Sequence, residues 1–313
     1  MQTMRGRFAP SPTGEIHLGN AWTALLAWLQ VRSAGGAMVL RVEDLDSDRS
    51  RPAYIAGLMA DMKWLGLDWD EGPDVGGCFA PYSQNERREL YQAALERLIV
   101  AGLIYPCYCT RAELAASAPH AGDSERVYVG TCRLRKHNEA RQTGRSPALR
   151  LVVPAGETSF TDLYAGRICQ DISREVGDFV VRRADGIHAY QLAVVVDDAA
   201  MKISHVLRGD DLLSSTPRQL LLYRLMGWQP PVFTHVPLLM DKEGHRLSKR
   251  QQSLSIAALR SQGISAEEIV GYLAWKAGLL ERCQRVKAAE LISVFAIDKL
   301  PPGQIVVETP LAL

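Results

Sequence analysis

The first 45 residues alternate between apolar runs and polar turns. Residues 5–10 are predicted to form a short buried strand that ends at prolines, and residues 20–31 place apolar side chains around a wide helical face. Residues 38–45 are predicted to form a second buried strand, which ends in a cluster of acids. A strand, a helix and a strand joined by short turns make a βαβ unit, and such units predict a parallel sheet. The expected fold class is therefore α/β.

Helical and strand-like patterns continue to alternate further along the chain. The segment 106–147 is the exception, because it is polar and irregular. Helices are predicted over 52–66, 84–102, 217–228, 253–262 and 265–280. Strands are predicted over 148–153, 179–183, 189–199, 203–209 and 232–240.

The composition fits a globular protein and excludes several other classes. Hydrophobic residues make up 47% and charged residues 23% of the 313 positions. The net charge of +1 excludes a protein held to nucleic acid by bulk charge alone, although a local basic face is compatible with it. The sequence predicts neither a secretory signal nor a membrane span, and a cytoplasmic location is expected.

Three of the six cysteines fall in the irregular segment: Cys107, Cys109 and Cys132. A disulfide framework is not expected in a chain without an export signal, so the cluster raises the possibility of a metal site. Three thiolates would supply most of a tetrahedral zinc site and leave one ligand to find. On the residues alone, His120 and His137 are the candidates for that ligand. The alternative interpretation is three buried free thiols.

A short motif, His17-Leu18-Gly19-Asn20, lies where the first strand and turn give way to a helix. A helix N-terminus offers free N–H groups to a phosphate, and a glycine lets a ligand approach the backbone closely. His17 can donate a further hydrogen bond. Such a motif by itself is also compatible with an ordinary turn.

A second motif, residues 246–250, forms a basic loop between a predicted strand and a predicted helix. Lys249 in such a loop can close over a triphosphate, although basic surface loops are common. Together, in this order, the two motifs resemble the HIGH and KMSKS signatures of class I aminoacyl-tRNA synthetases. Asn20 replaces the second histidine of the first signature, and Ser248 and Lys249 retain the centre of the second.

The surrounding residues narrow the resemblance to the glutamyl branch of these enzymes. The chain following residue 250 is too short for the helical anticodon-binding domain that glutamyl-tRNA synthetases carry. The chain therefore resembles the shorter glutamyl-Q tRNA(Asp) synthetase family. The motifs that carry the resemblance are Arg7–Gly14, His17–Gly19, Arg41–Asp44 and Leu207–Gln219.

This resemblance implies a Rossmann-type parallel sheet that is split by a zinc-bearing insert and followed by a short helical C-terminal region. The first half of the catalytic domain would span 1–105, and the insert would span 106–170. The second half would span 171–250. Residues 251–313 would form a helical tail without an anticodon-binding domain.

Glutamate carries two carboxylates and one ammonium group, and the matching residues suit these charges. Arg7 and Arg208 can pair with carboxylates, and Glu43 can hold the ammonium. The alternative role for Glu43 or Arg41 is a surface ion pair. The alternative role for Tyr190 is that of a core aromatic residue. The resemblance implies a glutamate pocket made of Arg7, Ala9, Ser11, Glu43, Tyr190 and Arg208.

The resemblance also implies sites for ATP and for one structural zinc ion, with Mg²⁺ accompanying ATP. Its catalytic residues would be His17 and Lys249. The ATP site would consist of His17, Gly19, Asn20, Ser248 and Lys249. The zinc ligands would be Cys107, Cys109, Tyr128 and Cys132.

The implied reaction begins with activation of L-glutamate by ATP, without tRNA. Glutamate would then pass to queuosine, the modified wobble base in the anticodon loop of tRNA(Asp), and the enzyme would act as a monomer. One alternative is a shortened synthetase that charges tRNA(Glu). Another is a non-catalytic paralogue that binds glutamate or its adenylate.

Overall fold

The computed structural model describes residues 3–46, 48–110, 113, 127–128, 130–134, 144–245, 247 and 254–308. The α-helices are Leu18–Ser33 (α1), Pro52–Trp64 (α2), Arg88–Val100 (α3), Thr131–Leu134 (α4), Ile172–Glu175 (α5), Tyr190–Ala200 (α6), Thr216–Met226 (α7), Ile256–Ser261 (α8) and Ala266–Lys276 (α9). The strands are Arg5–Phe8 (β1), Ala37–Leu40 (β2), Ile104–Cys107 (β3), Ala148–Leu151 (β4), Thr158–Asp162 (β5), Gly166–Gln170 (β6), Val180–Arg182 (β7), His205–Gly209 (β8), Val232–Val236 (β9), Leu239–Met240 (β10) and Ile305–Val306 (β11).

Parallel strands form the centre of the fold. Strand β1 pairs with β2, and β8 pairs with β9, in both cases in parallel. The amide of Ser204 donates to the carbonyl of Arg5 at 2.9 Å, so the start of β8 lies beside β1. The strand order is therefore β2-β1-β8-β9, with all carboxyl ends at one edge, which is where ligands bind in open α/β sheets. The prediction of an α/β fold with a parallel sheet is confirmed.

Helix α1 is the crossover between β1 and β2, and it is buried along most of its length. Such a helix must be covered on both sides. The sheet covers one side, and apolar residues of the C-terminal region, including Tyr272 and Leu273, belong to the same core on the other. A close approach to the sheet is possible because Gly6 has no side chain: a Cβ atom there would lie 2.3 Å from Cγ2 of Val31.

The prediction of a strand over 189–199 is wrong, because Tyr190–Ala200 forms helix α6. A short run of valines fits a buried strand as well as a helix buried on all sides, and hydrophobic periodicity does not separate the two. Every residue of α6 from Leu192 to Asp198 is buried, where the helix packs against α3, α7 and β7. The other predicted helices and strands are present, with ends that differ by a few residues.

Among the described residues, two antiparallel units accompany the parallel sheet. Strands β3, β4 and β7 form one three-stranded sheet, and β5 pairs with β6 in a hairpin. The amide of Leu163 in the hairpin turn donates to the carbonyl of Phe233 at 3.0 Å. The hairpin lies within the predicted insert 106–170, yet it packs against β9 of the parallel sheet.

The C-terminal region contains a strand as well as the predicted helices. Strand β11 pairs in parallel with β10, with Ile305 opposite Leu239. Helix α9 begins with a capping box, in which Ser265 and Glu268 each accept a backbone N–H of the other. Among the described residues, no helix is both long enough and apolar enough to cross a bilayer.

We expect Gly6→Ala to lower the free energy of unfolding by about 1–3 kcal/mol, the usual cost of overpacking a core. The added methyl group would collide with Val31, and α1 would have to move away from the sheet. Gly57→Ala is the matched control, because Gly57 is exposed within α2 and a Cβ there meets no atom within 4 Å. Urea unfolding of both variants measures the difference, and equal stability of the two would contradict this account of the close packing.

Candidate active site

A cavity of about 740 Å³ opens at the carboxyl ends of β1, β2 and β8, beside the N-terminus of α1. It brings together side chains that are far apart in the sequence. Ser248 and Lys249 lie outside the described residues, but Leu247, which precedes them, lines the cavity. The predicted glutamate and ATP residues within the described ranges all line it: Arg7, Ala9, Ser11, His17, Gly19, Asn20, Glu43, Tyr190 and Arg208.

His17 caps the N-terminus of α1. Its Nδ1 accepts the N–H of Gly19 at 3.1 Å, and Oδ1 of Asn20 accepts the N–H of His17 at 3.3 Å. Because Nδ1 is an acceptor, the neutral ring carries its proton on Nε2, which is then a donor. Asn20 thus has a structural function as part of the helix cap. The helix N-terminus and the imidazole together favour a bound anion.

A network of buried charges lies behind the cavity wall. Nη1 of Arg41 lies 2.6 Å from Oδ1 of Asp198, and its Nη2 lies 3.2 Å from Oε1 of Glu43. Nε of Arg7 lies 3.4 Å from the same Asp198 oxygen. A second carboxylate, Asp197, lies 3.6 Å from Nε of Arg41. All five side chains are buried, so each charge depends on its partners rather than on water.

This network sets the protonation of the acids around the cavity. Burial raises the pKa of Glu43, although Arg41 and Arg7 oppose the rise. Burial also acts to raise the pKa of Asp198, but the guanidinium groups of Arg41 and Arg7 outweigh it and hold the value below normal. Asp198 is therefore a carboxylate that neutralises positive charge. Glu43 lies on the cavity wall and accepts a hydrogen bond from Nη2 of Arg41.

Arg208 differs from the other buried arginines because its partners are uncharged. Its Nε donates to His235 at 2.9 Å, and its Nη2 donates to Thr216 and Gln219, both at 2.8 Å. Its Nη1 donates to Tyr190 at 3.4 Å. Burial lowers the pKa of Arg208. Within the described ranges no carboxylate lies within ion-pair distance of Arg208. Its buried positive charge therefore faces the cavity without a counter-ion and can bind an anionic ligand.

The structure adds functional residues that the sequence did not identify. Arg41 was noted only as part of a motif with a possible surface ion pair, yet it is fully buried. Asp197 and Asp198 interrupt an apolar run, which was the available signal that two acids point into the core. For Asp162 and His235, which support Arg208, nothing in the sequence gave a signal.

The three clustered cysteines also come together. The Sγ atoms of Cys107, Cys109 and Cys132 all lie within 4.8 Å of one another, with 3.4 Å between those of Cys109 and Cys132. Sulfurs at the corners of a tetrahedron around zinc are about 3.8 Å apart, given Zn–S bonds of about 2.3 Å. The arrangement of the three thiols therefore fits a zinc ion.

A tyrosine oxygen lies at the same cluster. Oη of Tyr128 is 3.4 Å from Sγ of Cys107 and 3.7 Å from Sγ of Cys109. It also accepts the N–H of Cys132 at 2.9 Å. Burial raises the pKa of the Tyr128 phenol, whereas a bound cation would favour its phenolate form. The alternative ligands His120 and His137 lie outside the described residues.

Comparison with known proteins places this site in a family. Residues 3–299 match the family described as tRNA synthetases class I (E and Q), catalytic domain. A glutamyl-Q tRNA(Asp) synthetase of Symbiobacterium thermophilum is 53% identical, and the match covers 98% of each chain. Another, from Nitratidesulfovibrio vulgaris, is 55% identical over 88% of this chain and 87% of the relative. A glutamate–tRNA ligase 2 of Syntrophus aciditrophicus is 43% identical over 94% of this chain but only 62% of its own length.

A solved structure agrees with these matches. A glutamate tRNA ligase from Elizabethkingia meningosepticum, in complex with its amino acid, superimposes with a TM-score of 0.85 at 29% identity. The match covers 99% of this chain and 68% of that one. The resemblance to glutamyl-Q tRNA(Asp) synthetases is confirmed by the two relatives of that name. The chain therefore belongs to the class I tRNA synthetases of the E and Q type, and it is a ligase.

Proposed function

We propose that this enzyme activates L-glutamate with ATP, without tRNA, to give glutamyl-adenylate and pyrophosphate, and then transfers glutamate to queuosine in the anticodon loop of tRNA(Asp). The observation that carries the first step is the buried, carboxylate-free guanidinium of Arg208, which shares one cavity with Arg7, Glu43 and the N-terminus of α1. The names of the two glutamyl-Q relatives, matched over most of their length, support the second step.

Glutamate recognition follows from the charges around the cavity. Arg208, which has only neutral partners, supplies the strongest unbalanced positive charge for a carboxylate. Arg7 shares its charge with Asp198 and can bind the other carboxylate more weakly. Glu43 accepts the ammonium, with the hydroxyl groups of Ser11 and Tyr190 as neutral hydrogen-bonding partners. A dicarboxylic amino acid is thereby favoured over one with an uncharged side chain.

ATP would bind with its phosphates at the N-terminus of α1, where His17 donates through Nε2 and Gly19 leaves the backbone open. An oxygen of the glutamate carboxylate attacks the α-phosphorus, and the bond to pyrophosphate breaks. The carboxylate is already ionised, so the step needs no protein base and depends on positioning and charge stabilisation. Lys249 would neutralise charge on the leaving pyrophosphate, and Mg²⁺ bound to the phosphates would add to that neutralisation.

The transfer step requires room for a second substrate beside the glutamate pocket. An adjoining pocket of about 330 Å³ shares Ser11, Thr13, Glu43, Arg49 and Tyr190 with the main cavity. Its wall includes His188, whose buried Nε2 has no hydrogen-bond partner among the described residues. A hydroxyl group of the acceptor nucleoside would attack the activated carbonyl from this side. The bond between the carbonyl carbon and the phosphate oxygen then breaks, AMP leaves, and the proton of the attacking hydroxyl is released to solvent.

We also propose one zinc ion at Cys107, Cys109, Tyr128 and Cys132. Its role would be structural, because it would join β3 to residues 127–128 and 130–134 around a small cluster that has little apolar core of its own. The cluster does not line the main cavity, so the adenylation step does not involve it.

The transfer reaction is tested with labelled glutamate, ATP, Mg²⁺ and three purified RNAs. These are tRNA(Asp) with queuosine, tRNA(Asp) without it, and tRNA(Glu). We expect label only on the queuosine-containing tRNA(Asp), and we expect it to survive removal of the 3′-terminal nucleotide. Label on tRNA(Glu) that is lost with its 3′ end would instead establish a shortened glutamyl-tRNA synthetase. Glutamate binding with neither label nor pyrophosphate exchange would establish the non-catalytic paralogue.

We expect Arg208→Ala to raise the KM for glutamate in ATP–pyrophosphate exchange by about 100-fold or more, since a buried charge-assisted contact is lost. The KM for ATP should change little, because Arg208 lies at the amino-acid end of the cavity. Arg224→Ala, at the last turn of α7, is a control for the loss of an arginine outside the cavity. An unchanged glutamate KM in Arg208→Ala would refute its assignment to the carboxylate.

Metal analysis of the purified protein should find about one zinc ion per chain, as expected for a single tetrahedral site. Cys109→Ser should remove most of this zinc and lower the melting temperature, since a thiolate ligand is lost. Cys169→Ser, which changes an exposed thiol on β6, should retain the full content. Equal zinc in the two variants would exclude the cysteine cluster as the site.

A further inference from the structure

Three buried side chains form a line that ends at the main cavity: Asp162, His235 and Arg208. Oδ2 of Asp162 lies 2.6 Å from Nδ1 of His235. Nε2 of the same ring accepts the Nε–H of Arg208 at 2.9 Å. Their exposed fractions are 2%, 0% and 5%, so water does not compete for these contacts. Asp162 lies at the end of β5, His235 in β9 and Arg208 in β8, and the fold places these three strands side by side.

The partners of His235 determine which of its nitrogens carries the proton. The Nε of an arginine can only donate, so Nε2 of the ring must be the acceptor. The ring proton is then on Nδ1 and is donated to the Asp162 carboxylate. Burial lowers the pKa of His235, partly offset by Asp162, which favours this neutral ring. A proton on Nε2 would face the Nε–H of Arg208 and could not coexist with the observed contact.

Asp162 is itself held in place by the hairpin. Its Oδ1 accepts the backbone N–H groups of Tyr164 at 3.0 Å and Ala165 at 2.9 Å, both in the β5–β6 turn. The backbone N–H of His235 also donates to the carboxylate, at 3.0 Å. These contacts and the His235 ring hold the pKa of Asp162 below its usual range, against the effect of burial. The carboxylate is therefore a fixed acceptor.

The line of contacts leaves one direction for the Arg208 guanidinium. Nε is bound to His235, and Nη2 is bound to Thr216 and Gln219. Nη1 remains on the side of Tyr190 and the cavity. A planar guanidinium with two of its three nitrogens fixed cannot rotate without losing several buried hydrogen bonds.

We propose that Asp162 and His235 are positioning residues that fix the Nε–H of Arg208 and thereby direct its Nη1 at the carboxylate of the substrate. This inference rests on the proposed function in one respect, namely that the anion at Arg208 is glutamate. The hairpin thus contributes to substrate affinity without touching the substrate.

Asp162→Asn tests this mechanism with almost no change in shape. The amide oxygen can still accept the backbone N–H groups of Tyr164 and Ala165. The amide nitrogen, however, donates to Nδ1 of His235 and so moves the ring proton to Nε2, opposite the Nε–H of Arg208. The Nε–H of Arg208 then loses its acceptor on the ring, while a proton on Nε2 can be donated only to the Thr216 hydroxyl 3.0 Å away, so the guanidinium is no longer fixed at Nε. We expect the glutamate KM in pyrophosphate exchange to rise by about 10- to 100-fold, as for a misplacement of about 1 Å, with the KM for ATP unchanged.

The same substitution, Asp162→Asn, made in a His235→Gln variant distinguishes a positioning role of Asp162 from a purely structural one. His235→Gln presents an amide oxygen to Arg208 but has no ring that could transmit a change of proton position. In this background, Asp162→Asn should no longer alter the glutamate KM, whereas a structural defect would persist. Asp171→Asn is the control, because Asp171 is a half-buried N-cap residue beyond the end of the same hairpin and does not line the main cavity.

The ¹⁵N chemical shifts of the His235 ring give a readout that does not depend on glutamate activity. They should show a protonated Nδ1 in the wild type and a protonated Nε2 in Asp162→Asn. An unchanged glutamate KM in Asp162→Asn, an equal effect in both backgrounds, or unchanged ring shifts would each overturn the inference. If the wild type shows no glutamate-dependent pyrophosphate exchange, the proposed function is overturned instead. The ¹⁵N shifts of the His235 ring would still test whether Asp162 sets its proton position.

Discussion

The buried ion pair between Arg41 and Asp198 is the contact on which the rest of the site depends. It joins the end of β2 to helix α6 at 2.6 Å, and Arg41 is fully buried. Glu43 follows the strand and Tyr190 begins the helix, so this contact brings both to one cavity. Removal of one partner from such a pair costs about 3–5 kcal/mol, because an uncompensated charge is left inside the protein. Fold and site therefore share one electrostatic constraint.

Around that pair, the protein divides its positive charge unequally. Arg41 and Arg7 are balanced by carboxylates, whereas Arg208 has only His235, Thr216, Gln219 and Tyr190 as partners. Because these charges are in place before the ligand binds, the site needs little rearrangement when charge develops in the transition state. Such preorganisation is the main source of electrostatic stabilisation in enzymes. Burying the Arg208 guanidinium away from water costs free energy. Hydrogen bonds to neutral groups that are held in place by other parts of the fold offset this cost.

Local sequence patterns predicted most elements, and they failed where burial was complete. The run before Asp197 has the composition of a strand, but it forms α6, because a helix surrounded by other elements needs no polar face. The opposite case is α1, which is also buried on most sides but was predicted correctly. Its apolar residues recur around a wide helical face, and Gly35 and Gly36 mark its end.

The sequence by itself determined the α/β class, the position of His17 at the start of α1, the cysteine cluster, and the residue types suited to glutamate. These depend on local periodicity, caps and short motifs, which are readable over a few residues. Only the tertiary structure decided that Arg41 is buried, that α6 is a helix, and that Asp162 lies against His235, which is 73 positions away. Such contacts depend on how elements far apart in the sequence pack together. Hydrogen bonds between these elements produce no local pattern that could be recognised in a single sequence.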